Sequence, residues 1–143
     1  MKIEIVKLDP AAIVPRYAHE FDAGLDLFSV EEIAILPGEA KLIRTGIAIA
    51  LPPHTEAQVR PRSGLALRYS ITVLNTPGTV DAGYRGEIGV ILINHGKKIF
   101  QVIPGMKIAQ MVIAAIVRAE LVTVDRLNET YRGDSGFGST GNW

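Results

Sequence analysis

The sequence predicts an all-β domain of jelly-roll type, built as a sandwich or a barrel. Short runs of alternating or β-branched residues recur along its 143 residues. Turn pairs such as Pro37-Gly38, Pro77-Gly78 and Pro104-Gly105 separate these runs. Many short strands at this spacing are typical of two packed sheets or of one closed sheet. The length is enough for a single domain with a substantial core.

The predicted strands follow one another in chain order, and each is bounded by turn residues. They are Ile3–Leu8, Ile33–Leu36, Lys41–Leu51, Glu56–Arg60, Ile71–Leu74, Ile88–Asn94, Ile99–Val102, Lys107–Ile113 and Leu121–Val124. One short helix is expected at Ser63–Tyr69, with Ser63 as a possible N-cap. We therefore expect a β-barrel domain over residues 1–130 and a flexible, Gly-rich tail over residues 131–143.

The segment Ile108–Val117 is apolar without alternation, so both of its faces should be covered. A two-layer sandwich covers only one face of each sheet. A strand buried within one chain and a strand covered by another subunit explain this pattern equally well. The pattern therefore leaves an obligate oligomer open.

Charge and composition exclude several classes of protein. The chain has 15 basic and 15 acidic residues and no cysteine. Balanced charge argues against a nucleic acid polymer as the main partner but permits a small phosphorylated ligand. Without cysteine there is no disulfide, thiolate metal site or cysteine nucleophile. The run Met111–Val117 is too short to span a bilayer, and Met1–Ile5 is no secretion signal, so we expect a cytoplasmic protein without a membrane partner.

The C-terminal residues 132–141 are the most unusual segment, with four glycines around an arginine and a phenylalanine. Such a stretch buries too little apolar surface to fold alone. Glycine amides can approach phosphate oxygens, Arg132 can bind them with two donors, and Phe137 can stack on a base. A disordered terminus is the ordinary alternative.

The segment Pro61–Ala66 places an arginine, a hydroxyl and a glycine at the start of the predicted helix. This arrangement suits an anion, although capping by Ser63 alone would also explain it. Ser63 is not expected to be a nucleophile, because His19, His54 and His95 form no triad motif. These histidines also lack the spacing of metal ligands, so we expect no protein-held metal.

Residues 75–87 form a long hairpin between two predicted strands. Asn75 offers an amide donor and acceptor that suit the edge of a pyrimidine. Asp81 is a lone carboxylate, which by residue type more often caps a turn but could act as a general base. Tyr84 and Arg85 would ordinarily be rim packing and a salt-bridge partner of Glu87.

Two further segments carry weaker signals. Asp26, within residues 23–27, could orient an arginine such as Arg62. Gln110, within residues 107–111, interrupts an apolar strand with an amide that needs a partner.

Taken in order, five segments resemble the motifs of the homotrimeric dUTPase family. They are Ala23–Leu27, Pro61–Ala66, Gly78–Asn94, Lys107–Met111 and Arg132–Gly141. Together they cover essentially the whole chain, and their order and spacing are specific. The departures are small: Lys107 stands where arginine is frequent, Gly83 where an acidic residue is common, and Ser29 where alanine is usual.

The resemblance implies an enzyme that hydrolyses dUTP to dUMP and pyrophosphate, with Asp81 activating the water that attacks the α-phosphorus. It also implies which residues bind the substrate. They are Asn75, Gly78, Thr79 and Val80 at uracil, Tyr84 beneath deoxyribose, Arg62, Ser63, Gly64 and Gln110 at the phosphates, and Arg132, Phe137, Gly138, Ser139 and Thr140 in a closing tail. It further implies a homotrimer with shared sites and a Mg²⁺ ion held by the triphosphate and waters.

Three other functions can be compared with this one. A dCTP deaminase needs a glutamate near the cytosine amino group, and residues 75–81 contain none. A non-catalytic nucleotide-binding regulator is expected to lack the base or the tail, yet Asp81 and residues 132–141 are present. A purely structural jelly roll would have no reason to carry that tail.

Overall fold

The computed structural model describes residues 1–141, which form strands and one short helix. The elements are β1 (Glu4–Lys7), β2 (Leu25–Phe28), β3 (Ile33–Ile35), β4 (Ala40–Arg44), β5 (Ile47–Ala50), β6 (Thr55–Arg60), α1 (Ser63–Tyr69), β7 (Ile71–Val73), β8 (Gly78–Asp81), β9 (Gly89–Asn94), β10 (Phe100–Val102) and β11 (Lys107–Ala115). The strands pair in the orders β2-β11-β6-β8, β4-β9-β7, β1-β5 and β10-β3. The prediction of an all-β jelly roll is confirmed.

The core lies between the inner faces of these sheets, where side chains alternate as expected for half-buried strands. In β6, Ala57 and Val59 are buried whereas Glu56 and Gln58 are only partly covered. In β9, Val90 and Leu92 are buried and belong to the same apolar cluster. The polar residues of β6 therefore line the outer face of its sheet, where a ligand or another chain can reach them.

The predicted strand Lys41–Leu51 is wrong as a single element, because a turn at Thr45-Gly46 divides it into β4 and β5. Gly46 has φ +68, and a Cβ there would lie 2.8 Å from Asp9 Cβ. Glycine permits both this left-handed conformation and the close approach. The apolar pattern continues across the turn, which is why it predicts one long strand.

Three other strand assignments differ from the sequence prediction. β2 and β8 are strands that the pattern did not predict, since each contains an acidic residue and lies beside turn residues. The predicted strand Leu121–Val124 is absent, and residues 116–141 contain neither helix nor strand. Leu121 is 92% exposed, so nothing in the described chain covers this apolar segment.

The helix α1 has the predicted bounds, Ser63–Tyr69, but its N-cap residue differs from the prediction. Arg62 is the N-cap residue, its side chain makes no capping hydrogen bond, and Ser63 is the first helical residue. The Arg62 carbonyl already accepts hydrogen bonds from Leu65 N–H and Ala66 N–H, both at 3.1 Å. The N-cap assignment of Ser63 is therefore wrong.

No helix within residues 1–141 is long and apolar enough to cross a membrane.

Asn94 is a fully buried polar side chain at the end of β9. Its Nδ2 donates hydrogen bonds to the carbonyls of Ile35 at 2.9 Å and Lys98 at 2.8 Å. Its Oδ1 accepts a hydrogen bond from Gly96 N–H at 2.8 Å. One side chain thus joins β3, β9 and the loop after β9.

We expect Asn94→Ala to lower the free energy of unfolding by about 2–4 kcal/mol, because two carbonyls and one N–H lose their partner in the interior. Urea unfolding at fixed protein concentration would measure this change. Asn128→Ala, at an exposed position, is the matched control and should change stability by less than about 0.5 kcal/mol. Equal effects of the two substitutions would contradict the structural role of Asn94.

Candidate active site

A cavity of about 300 Å³ opens beside β8. Six residues that the sequence predicted as site residues line it. They are Asn75, Gly78, Thr79, Val80, Asp81 and Tyr84. The cavity is also lined by Leu42 and Glu87, which carried no signal in the sequence that marks them as site residues.

The local structure of β8 explains how this cavity could recognise a flat polar ligand. β8 lies at the edge of its sheet and, within residues 1–141, pairs only with β6. Its outward N–H and C=O groups therefore lack a neighbouring strand. A Cβ on Gly78 would lie 3.1 Å from Asn75 Nδ2, so glycine lets this amide approach the strand. Backbone groups and an amide together line one wall.

Asp81 ends β8 and lies directly opposite Glu56 of β6. Its side chain is exposed and, among residues 1–141, accepts no hydrogen bond and forms no ion pair. Its backbone carbonyl, rather than its carboxylate, accepts the turn hydrogen bond from Tyr84 N–H at 3.0 Å. The side chain therefore does not cap the turn and is accessible to a water molecule.

Glu87 does not pair with Arg85, so that predicted salt bridge is wrong. Arg85 donates instead to the carbonyls of Ala82 at 2.6 Å and Tyr84 at 2.9 Å. The Glu87 carboxylate pairs with Arg44 Nε at 3.2 Å and accepts a hydrogen bond from Gly46 N–H at 2.7 Å. The hydrogen bond that Arg44 Nε donates to Glu87 raises the pKa of the Arg44 guanidinium. The pairing joins segments that are distant in sequence.

A second cavity, of about 370 Å³, is lined by cationic and donor groups. It brings together the other predicted residues outside the tail. They are Asp26, Arg62, Ser63, Gly64 and Gln110. Lys107, His19 and Asp22 also line it, and the two latter residues belong to no motif in the sequence.

Asp26 organises this cavity from a nearly buried position. Its Oδ1 lies 3.5 Å from Arg62 Nε, which is the ion pair that the sequence suggested. Its Oδ2 lies 2.6 Å from Lys107 Nζ, in an ion pair without hydrogen-bond geometry. Arg62 and Lys107, for which we call this the cationic cavity, offer N–H donors to an anion, while the carboxylates of Asp26 and Asp22 balance their formal charge.

Hydrogen-bond donors surround the same cavity. Gln110 Nε2 donates to the carbonyl of Pro61 at 3.0 Å, which provides the partner that its amide needs. Ser63 and Gly64 open α1, so their backbone N–H groups have no partner within the helix. Because Ser63 is not the cap, its hydroxyl is not used for capping.

The two cavities share no residue and lie on opposite sides of β6, the first along β8 and the second beside β11. Asp81 faces Glu56, whereas Gln110 faces Arg60. Four residues along a strand span about 13 Å, and two strand spacings add about 10 Å sideways, so Asp81 and Gln110 are roughly 16 Å apart. One chain therefore presents two separate cavities.

The predicted tail residues lie apart from both cavities. Residues 116–141 are exposed, and none of them lines either cavity. Within the tail, Arg132 Nε donates to the carbonyl of Ser135 at 3.0 Å. Phe137 is fully exposed. A single chain thus leaves Arg132, Phe137, Gly138, Ser139 and Thr140 without contact to the other candidate residues.

Known proteins resemble this chain over nearly its whole length. The family model described as dUTPase matches residues 10–141. This chain belongs to the dUTPase family. The deoxyuridine 5'-triphosphate nucleotidohydrolase of Gloeothece citriformis is 66% identical over 141 residues, which cover 99% of this chain and 97% of that protein. The protein of the same name from Clostridium tetani is 63% identical over 141 residues, covering 99% and 96%.

Solved dUTPases share the fold. A mutant dUTPase of Staphylococcus bacteriophage 80alpha, solved with dUpNHpp, has a TM-score of 0.90 at 26% identity and covers 98% of both chains. A mutant dUTPase from phage phi11 of S. aureus, described with a structural Mg(II) ion, has a TM-score of 0.84 at 25% identity. That alignment covers 90% of this chain and 100% of the phage chain. The resemblance found in the sequence is thereby confirmed.

The cationic cavity leads to a prediction for Arg62. Arg62→Gln removes the guanidinium that Asp26 holds at the cavity, so the Kd for inorganic triphosphate should rise about tenfold. Calorimetric titration would measure it. Arg60→Gln is the matched control, because Arg60 pairs with Gln58 outside this cavity and the net charge changes equally. Equal weakening in both variants would mean that only net charge matters.

Proposed function

We propose that this dUTPase hydrolyses dUTP to dUMP and pyrophosphate, with Asp81 as the general base for the attacking water. The hydrolysis limits uracil incorporation into DNA and supplies dUMP for thymidylate synthesis. Relatives named deoxyuridine 5'-triphosphate nucleotidohydrolase match the chain over nearly its full length at more than 60% identity, which is the observation that supports the reaction. The unpaired Asp81 carboxylate supports the role of the base.

Uracil binds at the edge of β8. The free backbone N–H and C=O groups of residues 78–80 and the amide of Asn75 form hydrogen bonds with one edge of the base. Gly78 and Val80 are buried in the wall, which keeps the slot narrow. A narrow slot excludes a 5-methyl group by shape, and the donor and acceptor order disfavours cytosine.

Tyr84 supports the deoxyribose. Its ring lines the same cavity as Asn75 and Asp81 and is 47% exposed. A flat ring beneath the sugar leaves no room for a 2′-hydroxyl. The selection of deoxyribose then depends on shape rather than on a hydrogen bond.

The triphosphate binds the cationic cavity. Arg62 and the amides of Ser63 and Gly64 contact phosphate oxygens, and Ser63 and Gln110 add neutral side-chain donors. The tail closes over the bound nucleotide: Arg132 and the amides of Gly138, Ser139 and Thr140 bind phosphate, and Phe137 stacks on the base. Closure excludes bulk water and keeps one aligned nucleophile.

Asp81 takes a proton from that water as its oxygen attacks the α-phosphorus, and the bond to the bridging oxygen of pyrophosphate breaks. Catalysis is mostly positioning and charge stabilisation, as in phosphoryl transfer generally. The positive groups around the triphosphate neutralise charge on the leaving pyrophosphate. The exposed Asp81 carboxylate has no ion-pair partner among residues 1–141 and is open to that water.

Mg²⁺ fits this site as an ion carried by the substrate. Residues 1–141 contain no group of three or more His, Cys, Asp and Glu that could hold a metal ion. Its oxygen ligands would come from the triphosphate and from waters, which Mg²⁺ readily accepts. Bound Mg²⁺ supplies charge neutralisation and orients the phosphates. Arg62, Ser63 and Gln110 hold the metal indirectly, through the triphosphate.

The complete site requires a homotrimer. The two cavities of one chain are too far apart for Asp81 to act on a phosphate in its own cationic cavity. The outer face of β11 also leaves Val112 and Ala114 only partly covered. Val122 and Val124 alternate with Thr123 as in a strand, yet both are exposed in one chain. Another copy of the chain would supply both the missing cover and the missing half of the site.

A panel of nucleotides tests the reaction. Pyrophosphate release with Mg²⁺ should be fast for dUTP and slow for dTTP, dCTP and UTP. Ammonia release from dCTP would identify a deaminase instead. Glu87 is the glutamate in the cavity beside β8 that could serve a deaminase, but Arg44 and Gly46 already donate hydrogen bonds to its carboxylate. Binding of dUTP without turnover would identify a regulatory protein.

Asp81→Asn should lower kcat by about two to four orders of magnitude, because it removes the base and keeps the size of the side chain. The Kd for dUTP should change little. Glu56→Gln is the matched control, since Glu56 faces Asp81 but does not line the cavity. Near-normal turnover of the Asn variant would exclude Asp81 as the base.

A mixing experiment tests the shared site. A chain ending at Thr130 should fold, because residues 131–141 are exposed and add nothing to the core. It should lose most activity, because it lacks the closing tail. Co-expressed equally with Asp81→Asn, it should recover activity in about one quarter of the sites. A working site needs Asp81 from a truncated chain and a tail from a full-length chain, each present with a chance of about one half. Mixed trimers no more active than the better parent would exclude the shared site.

A further inference from the structure

The phenol end of the Tyr84 side chain packs against the backbone of Gly86. A Cβ at Gly86 would lie 2.5 Å from Tyr84 Cζ and 2.9 Å from Cε2, and it would overlap the phenol oxygen. Gly86 is not among the glycines with a left-handed φ. Glycine is therefore required here for space and not for backbone conformation, and alanine could adopt the same φ and ψ.

Hydrogen bonds hold the backbone of residues 86–87, against which Tyr84 packs. Tyr84 Oη donates a hydrogen bond to the carbonyl of Glu87 at 2.9 Å. The Glu87 carboxylate binds Gly46 N–H at 2.7 Å and Arg44 Nε at 3.2 Å. The ring is thus held through residues 86–87 to the turn between β4 and β5.

We infer that Gly86 is a specificity-determining position, because its lack of a side chain sets the position of the Tyr84 ring beneath the sugar. Glu87 is the positioning residue that fixes this backbone. The inference rests on the proposed role of Tyr84. A methyl group at Gly86 overlaps the phenol end of the Tyr84 side chain, so the ring must swing aside and lose its hydrogen bond to Glu87. The ring is half exposed and can turn toward solvent while the fold is kept, which removes the surface that excludes a 2′-hydroxyl.

The experiment measures kcat/KM for UTP and for dUTP. Gly86→Ala should raise the UTP to dUTP ratio at least about fivefold, through a higher KM for dUTP. Gly83→Ala is the matched control, because a Cβ there meets no atom within 4 Å, and its ratio should stay unchanged. In a Tyr84→Ala background, Gly86→Ala should alter the ratio by less than about twofold, since its effect acts through the ring.

Glu87 provides a graded second test. Glu87→Ala removes both anchors and should raise the ratio, whereas Glu87→Gln keeps an acceptor for Gly46 N–H and should stay near the parent value. Thermal unfolding of each variant confirms that it is folded. If Tyr84→Ala raises the ratio and Gly86→Ala does not, this inference is overturned and the role of Tyr84 stands. If neither changes it, both are overturned, while dUTP hydrolysis by the parent enzyme stands.

Discussion

The pairing of β6 with its two neighbours positions every candidate group in the body of the fold. Asp81 faces Glu56 across one edge, and Gln110 faces Arg60 across the other. Side chains alternate along a strand, so a slip of one residue would turn Asp81 into the core and Val80 to solvent. Burying an unpaired carboxylate is far more costly than exposing a valine. The apolar core therefore enforces the register that keeps the proposed base accessible.

Asp26 shows the opposite solution for a carboxylate. It is nearly buried, and the cations of Arg62 and Lys107 lie against it. Loss of either cation would leave part of that charge uncompensated, so the same contacts stabilise the fold and orient the donors of the cationic cavity. Asp81, free of such partners, contributes nothing comparable to stability. The structure thus separates a carboxylate that organises from one that is available to react.

Sequence reasoning succeeds where a residue type has few physical options. The alternation of apolar residues predicts the all-β fold, and the ion pair between Asp26 and Arg62 is present. It fails where long-range geometry decides. The pairing of Glu87 with Arg85 is wrong because Glu87 binds Arg44 and Gly46, which are distant in sequence. The capping role of Ser63 is also wrong, because Arg62 is the N-cap residue. The predicted strand Leu121–Val124 requires a partner strand that a single chain does not offer.

The tail, residues 131–141, is the segment that depends most on such a partner. Gly133, Gly138 and Gly141 have φ of +55, +87 and +72, values that few other residues adopt readily. Glycines also make ordering costly, because they lose the most conformational freedom. Under the proposed function, phosphate and base contacts offset that cost and order the tail. Closure would then follow binding of the triphosphate and reverse once pyrophosphate leaves, which makes the tail suited to a site that must open in every cycle.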